Sequence, residues 1–290
     1  MNKEGIIVYE NEPVGIGSTI FRGLHRLYYK KPNEILYFQF VNPLYSTNNL
    51  NTWSAYLHQP FEGEKQFLLT AQQNKKLKEE RGVFNNLNQP LLFGYGKAQN
   101  NGSLFSDSAT VKGYREFAKP FLKFKKNIID KVNSFKLQHF TDNKILSIHK
   151  RGTDQFTSRG HAGKSAHLFS NQNITDKVDK IQKNYDRIFV ATDEQCFLDL
   201  MQERYGNKVC SYSTIRANAN ETIGLHFQFS QANSETKYLI GEEAIIDSIL
   251  MSQSNFAFYM RSNISLLSIL LRSNFDYEFV DNHIDYGDMG

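Results

Sequence analysis

Residues 144–154 read KILSIHKRGTD. The run begins apolar and then breaks into His149, Arg151, Gly152 and Asp154. Such a pattern predicts a buried strand whose C-terminal end carries a polar cluster. In open α/β sheets, ligands bind beyond the C-terminal ends of the strands. Arg151 presents a planar fork suited to bidentate phosphate contact. Gly152 lets the backbone approach a ligand closely, and Asp154 is suited to orienting Arg151 or capping the next segment. A salt-bridged strand end is the plainer alternative, because ion-pair networks also gather at such places.

Working outward, the pattern on the C-terminal side is regular. Strands are predicted over 144–149, 187–192, 208–212, 255–259 and 277–280. Helices are predicted over 174–183, 194–205, 241–252 and 264–271. In the helix at 241–252, Glu242 and Glu243 suit a positive N-terminal end. Strands alternating with helices imply a parallel sheet covered on both faces. The N-terminal side is less regular. A strand at 6–9 is followed by Gly15 and Gly17, a helix over 19–29 and a strand over 35–40. From 42 to 107 the chain reads as loops and short elements, with a charged helix near 75–81. Residues 119–136, KPFLKFKKNIIDKVNSFK, place Phe121, Phe124, Ile128, Ile129 and Val132 at helical spacing with Lys on the other faces. This predicts an amphipathic surface helix, with contact to an anionic membrane surface as a second reading. A lobe boundary is placed near its end, giving lobes over 1–140 and 141–290.

The chain's 290 residues are about two domains' worth at ~150 residues each. At 40% hydrophobic and 22% charged it is an ordinary globular composition, not a disordered one. Two cysteines exclude a disulfide scaffold and four-cysteine zinc spacings. The run 264–271 is too short to span a bilayer, and the N-terminus has no signal-peptide core. A soluble cytoplasmic protein is the expectation. The net charge of +4, from 34 basic and 30 acidic residues, argues against nucleic acid as partner. It suits a substrate with a few negative charges.

Four further motifs bear on chemistry. Ala191-Thr192-Asp193-Glu194 ends the second C-terminal strand. Thr192 or Asp193 serves there as a helix N-cap, or Asp193 accepts from a nucleotide base or ribose. Asp247 stands on an otherwise apolar helix face and needs a partner, either an arginine or a ligand. Ser262, followed by Asn263, is a good N-cap, and that helix end is a ready anion site. Gly15 and Gly17 open a helix after a strand but lack the third glycine of a dinucleotide fingerprint. Other signals fail. In GHAGKS (160–165) only two residues separate the glycines where a phosphate loop needs four. HExxH, GxSxG and Asp-any-Asp are absent from the sequence, and Cys196 reads as a small buried side chain.

Together, ILSIHKRGTD, RIFVATDEQCFLDLMQERYG, GEEAIIDSILMSQSNF and RSNIS, in that order, resemble the fucosyltransferase superfamily. That group includes the α-1,6-fucosyltransferases, the rhizobial nodulation fucosyltransferase and bacterial enzymes of surface-polysaccharide synthesis. GIGSTIFRGL resembles their opening glycine turn more weakly, and NTWSAYLHQPF (51–61) resembles a feature of bacterial relatives. The resemblance implies a GT-B architecture, two Rossmann-like lobes facing across a cleft, with the donor held in the C-terminal lobe. It implies a GDP-sugar donor and inverting transfer without a metal or other cofactor. Arg151 would hold the diphosphate, with Gly152, His149 and Asp154 shaping the donor site. Asp193 would lie near the guanine or ribose. Asp247 would contact or support the nucleotide, and Ser262 with Asn263 would form the phosphate-binding helix end.

Two departures from the α-1,6 enzymes matter. Their second consecutive arginine is here Gly152, and the position of their proposed catalytic carboxylate is here Arg159. His161, Asp154, and Glu10 or Glu12 become the candidate bases, and His161 has the most suitable intrinsic pKa. The expected reaction is attack of an acceptor hydroxyl on a nucleotide sugar, the acceptor being a glycan or lipid-linked glycan. Competing readings are GDP-heptose or GDP-mannose as donor, and a non-catalytic nucleotide- or glycan-binding protein.

Overall fold

The computed structural model describes residues 4–11, 13–30, 32, 34–46, 50–61, 108–152, 171–212, 215–218, 223–274 and 276–280. The chain begins with β1 (Glu4–Asn11), α1 (Ile16–Tyr28) and β2 (Glu34–Val41), a βαβ unit whose two strands pair in parallel. A short helix, α2 (Thr52–Tyr56), is capped by Asn51, whose side chain accepts from the Ser54 amide at 3.3 Å. It buries Trp53 and Tyr56 in the core.

Next come α3 (Ser108–Ala118) and α4 (Lys126–His139). The helix predicted over 119–136 therefore begins late, at Lys126. Pro120 instead ends α3 at Ala118, since the residue before a proline avoids helical geometry. Phe121 and Phe124 lie before α4. The stretch holding Phe124 bridges antiparallel to Leu57, with the His58 amide donating to the Lys123 carbonyl at 2.8 Å. Within α4, Ile128, Val132 and Phe135 are the buried side.

The second sheet contains β3 (Ile145–Lys150), β4 (Arg187–Thr192), β5 (Val209–Cys210), β6 (Phe256–Tyr259) and β7 (Tyr277–Phe279). All neighbours are parallel, in the order β5-β4-β3-β6-β7. Residues alternate between two cores because successive side chains of a strand point to opposite faces. Leu146, Ile148, Ile188, Val190 and Phe258 pack with α5 (Asn171–Ile181) and α6 (Gln195–Tyr205) through Ile174, Val178, Phe197 and Met201. Ile145, Phe189, Ala191, Ala257 and Tyr259 join the larger cluster, which includes α4, α8 (Ser234–Ser252) and α9 (Asn263–Leu271). That cluster runs on into α1, β2 and α2, so one apolar core joins the two sheets. A one-turn helix, α7 (Leu225–Gln228), precedes α8.

The predicted start of α8 at Gly241 is corrected. Asn233 caps the helix, accepting from the Thr236 amide at 2.9 Å, so Glu242 and Glu243 sit mid-helix rather than at its N-terminal end. Gly241 has another cause: a β-carbon there would run into the Tyr56 hydroxyl. Glu242 is buried and accepts from Asn127 Nδ2 (2.9 Å), the Tyr238 hydroxyl (3.1 Å) and Lys131. The charged helix expected near 75–81 lies outside the described residues.

Candidate functional site

In the second sheet, the strand order reverses at β3. From β3 the chain adds β4 and β5 on one side, then crosses back from β5 to add β6 and β7 on the other. A crevice opens at such a switch point, beyond the carboxyl ends of the two central strands. Here those ends are His149-Lys150-Arg151-Gly152 after β3 and Met260-Arg261-Ser262 after β6. The polar residues singled out in the sequence therefore meet at one place, because the parallel register brings all the strand ends to one edge.

His149 is buried on the inner side of this edge. Its Nδ1 lies 2.8 Å from Ser265 Oγ and 3.3 Å from the Met260 carbonyl. Burial pushes its pKa down to about 4, against the pull of the nearby Asp193 carboxylate. The ring is therefore neutral at pH 7 and ties β3 to the start of α9. Ser262 caps α9, its hydroxyl accepting from the Ser265 amide at 3.1 Å. Asn263 donates to Ser18 Oγ of α1 at 2.6 Å. A β-carbon on Gly17 would stand 2.8 Å from the Asn263 Cβ, so only glycine admits this approach of two helix N-termini. Neither α1 nor α9 has an acidic residue in its first turn. Two positive helix ends thus converge without an internal counter-charge. Gly15, the N-cap of α1, has open space around its α-carbon.

On the β4 side, the Gly152 amide donates to Asp193 Oδ1 at 2.8 Å. The Asp193 carbonyl accepts from the Ala217 amide at 2.8 Å, and Gln195 returns a bond to the Ala217 carbonyl at 3.1 Å. Arg151, the first residue past β3, is half-buried. Asp247 stands on α8. Its Oδ1 is buried and has no hydrogen-bond partner among the described residues. Burial holds its pKa well above the usual carboxylate range, opposed by the Arg216 guanidinium and reinforced by Glu243. Burial also lowers Arg216, whose Nη2 donates to the Tyr212 carbonyl at 3.0 Å. Glu243 accepts from the Ile215 amide at 2.9 Å. An orphaned buried polar atom is costly, about 1–3 kcal/mol, and calls for a water or a ligand.

Of the candidate bases, Glu10 is engaged by Arg22 at 3.4 Å and Arg26 at 3.3 Å on α1. Asp154, His161 and Glu12 lie outside the described residues. The sequence reading missed Lys150, Ser265 and Arg216, and gave Glu194 and Glu243 no part in the site. A lysine ending an apolar strand was the available signal for Lys150; Arg216 and Ser265 carry no pattern of their own.

No family model and no curated protein matches the chain. Solved structures do. The Bradyrhizobium fucosyltransferase NodZ superposes with a TM-score of 0.59 at 14% identity, over 93% of this chain and 94% of that one. The chain has the fucosyltransferase fold. NodZ co-crystallised with GDP matches at a TM-score of 0.57 and 14% identity, over 93% of both chains. A point mutant of Arabidopsis thaliana FUT1 in complex with GDP matches at 0.53 and 8%, over 96% of this chain and 70% of that one. This is the GT-B fold, and the β3/β6 switch point sits in its C-terminal sheet. Among the described residues, no three His, Cys, Asp or Glu side chains gather as a metal site would require, and no helix is long and apolar enough to cross a membrane.

Proposed function

We propose that this protein is an inverting, metal-independent glycosyltransferase that moves L-fucose from GDP-fucose onto a hydroxyl of a glycan or lipid-linked glycan in bacterial surface-polysaccharide synthesis. The observation that carries the reading is the convergence of Arg151, Asp193, Ser262 and Gly17 on the switch point of a fucosyltransferase-like sheet. A NodZ crystal has been soaked with GDP-fucose, which supports that donor.

In this account the acceptor oxygen attacks the anomeric carbon. The bond from that carbon to the β-phosphate oxygen breaks, and its electron pair leaves with GDP. Arg151 and the two helix N-termini stabilise the growing phosphate charge. Asp193 takes the ribose or base, and Asp247 supports the nucleotide. The acceptor proton passes to a base, Asp154 or His161. Glu10 fits that role less well, because two arginines hold it. The lobes are read as 1–140 for the acceptor and 141–290 for the donor. Exposed Lys119 and Lys123 support a peripheral contact with the cytoplasmic membrane face.

Arg159 at the usual carboxylate position favours a second reading, a nucleotide- or glycan-binding protein without turnover. The deciding experiment follows GDP release from GDP-fucose, GDP-mannose and GDP-heptose with surface-polysaccharide fragments and excess EDTA. GDP-fucose-dependent transfer that Arg151→Ala abolishes is the expected result. GDP-mannose or GDP-heptose in its place changes the donor. GDP binding without release from any donor establishes the second reading.

A further inference from the structure

We propose that Lys150 and Glu194 are positioning residues of this site, an ion-paired clasp that closes over Gly152 and fixes where Arg151 and Asp193 stand. The inference rests on the donor-site reading above and extends it to two residues with no assigned role.

Lys150 is the last residue of β3 and is 3% exposed. Its ammonium pairs with the Glu194 carboxylate and stands 5.2 Å from the centre of the Phe197 ring. Burying a lysine charge is costly unless it is paired. Stability alone does not call for the pair, because replacing a buried ion pair by apolar residues of similar volume is often neutral or stabilising. What such a pair supplies is fixed geometry. The Glu194 side chain must cross the α-carbon of Gly152 to reach Lys150, and a β-carbon at 152 would fall inside its carboxylate. Beside it, Asp193 Oδ1 accepts from the Gly152 amide at 2.8 Å, while the Asp193 carbonyl is held by Ala217. The exits of β3 and β4 are thus fastened twice, by a charge pair on one side of Gly152 and by an amide–carboxylate bond on the other. Arg151 lies inside the fastened turn. Its guanidinium can meet a diphosphate only if that turn keeps its shape, and misplacement by about 1 Å costs up to about a hundredfold in comparable sites.

The test measures GDP binding by titration calorimetry, well below the melting temperature, for the full-length wild type, the Lys150→Met/Glu194→Gln double variant and Gly152→Ala. The double variant removes both charges at nearly constant volume, so its melting temperature should stay close to that of the wild type. Its GDP affinity should fall about tenfold or more, a loss of about 1.4 kcal/mol from a displaced Arg151–diphosphate contact. Gly152→Ala keeps both charges but dislodges Glu194, and should lose affinity similarly. If the double variant does not fold, Lys150→Met, which breaks the charge pair and leaves Gly152 untouched, decides in its place. Wild-type-like GDP affinity in a folded variant, whatever its melting temperature, overturns the clasp and leaves the donor site standing. A wild type that binds no GDP overturns both.

Discussion

His149 makes a pH-dependent contribution whose size follows from its burial. The ring is 6% exposed and its pKa falls from 6.5 to about 4 on folding. Between those values the unfolded chain binds the proton and the folded chain does not, so stability rises with pH there. The contribution is intact above pH 6.5 and is lost as the pH falls toward 4. For a shift from 6.5 to 4, linkage gives a loss of about 1.4 kcal/mol at pH 5.5 and about 2.5 kcal/mol at pH 4.5, relative to pH 7.5. Other groups titrate in the same range, so the measurement is a difference. Urea unfolding of the wild type and His149→Asn is compared from pH 4.5 to 7.5. Asparagine keeps a polar atom near Ser265 and the Met260 carbonyl but does not titrate. The wild type should lose stability relative to the variant by these amounts as the solution is acidified. Parallel curves across the range would refute the claim that His149 is held neutral in the strand-end network.

Three further outcomes are expected. Asp247→Asn should stabilise the protein at pH 7.5 and weaken GDP binding. The raised pKa of Asp247 makes its ionised form unfavourable in the folded state, so the wild type should recover against the variant as pH falls; paired urea and calorimetric titrations check both. Gly17→Ala should cost about 1–3 kcal/mol in urea unfolding, because the new methyl meets the Asn263 Cβ at 2.8 Å and its backbone at 3.1 Å. Arg272→Met should lower the melting temperature by about 2–5 °C in a calorimetric scan, from a loss of about 1–3 kcal/mol. Its buried guanidinium donates to the carbonyls of Met251 (2.8 Å), Ser254 (2.9 Å) and Asp276 (3.1 Å); each would lose a donor, although Met251 keeps the Ser254 hydroxyl (2.8 Å) and Asp276 keeps the Ala257 amide (3.1 Å).

The C-terminal sheet was legible because its signal is local. Each strand is a short apolar run and each helix carries 3.6-residue periodicity, and β4 falls at the predicted 187–192. Strand order is not local, but a parallel sheet aligns every strand end, so His149, Arg151, Asp193 and Ser262 fell together once the class was known. Three errors have physical causes. Cys196 read as a small buried side chain, but it is exposed on α6, whose buried residues are Phe197, Leu198 and Met201. Gly241 read as a helix start because glycine often bounds helices, whereas here it admits Tyr56 into the middle of α8. The helix predicted from 119 starts at Lys126 because Phe124 is taken up by an antiparallel bridge to Leu57, a pairing with a residue far along the chain that periodicity does not show. Arg216 and Ser265 were unreadable, since their roles come from contacts with residues far along the chain, Asp247 and His149. Lys150 was within reach, as a charge ending an apolar strand, but its partner Glu194 became evident only in three dimensions.

The central claim is that this switch point binds a GDP-sugar. Its most direct test is thermal unfolding of the wild type and Arg151→Ala with GDP, GDP-fucose or UDP-glucose. At 100 times the dissociation constant, a ligand of the folded state adds about 2.7 kcal/mol, which raises the melting temperature by about 4 °C at this size. GDP and GDP-fucose should give that shift in the wild type and little in Arg151→Ala, and UDP-glucose should give none. A wild type whose melting temperature ignores all three would contradict the account.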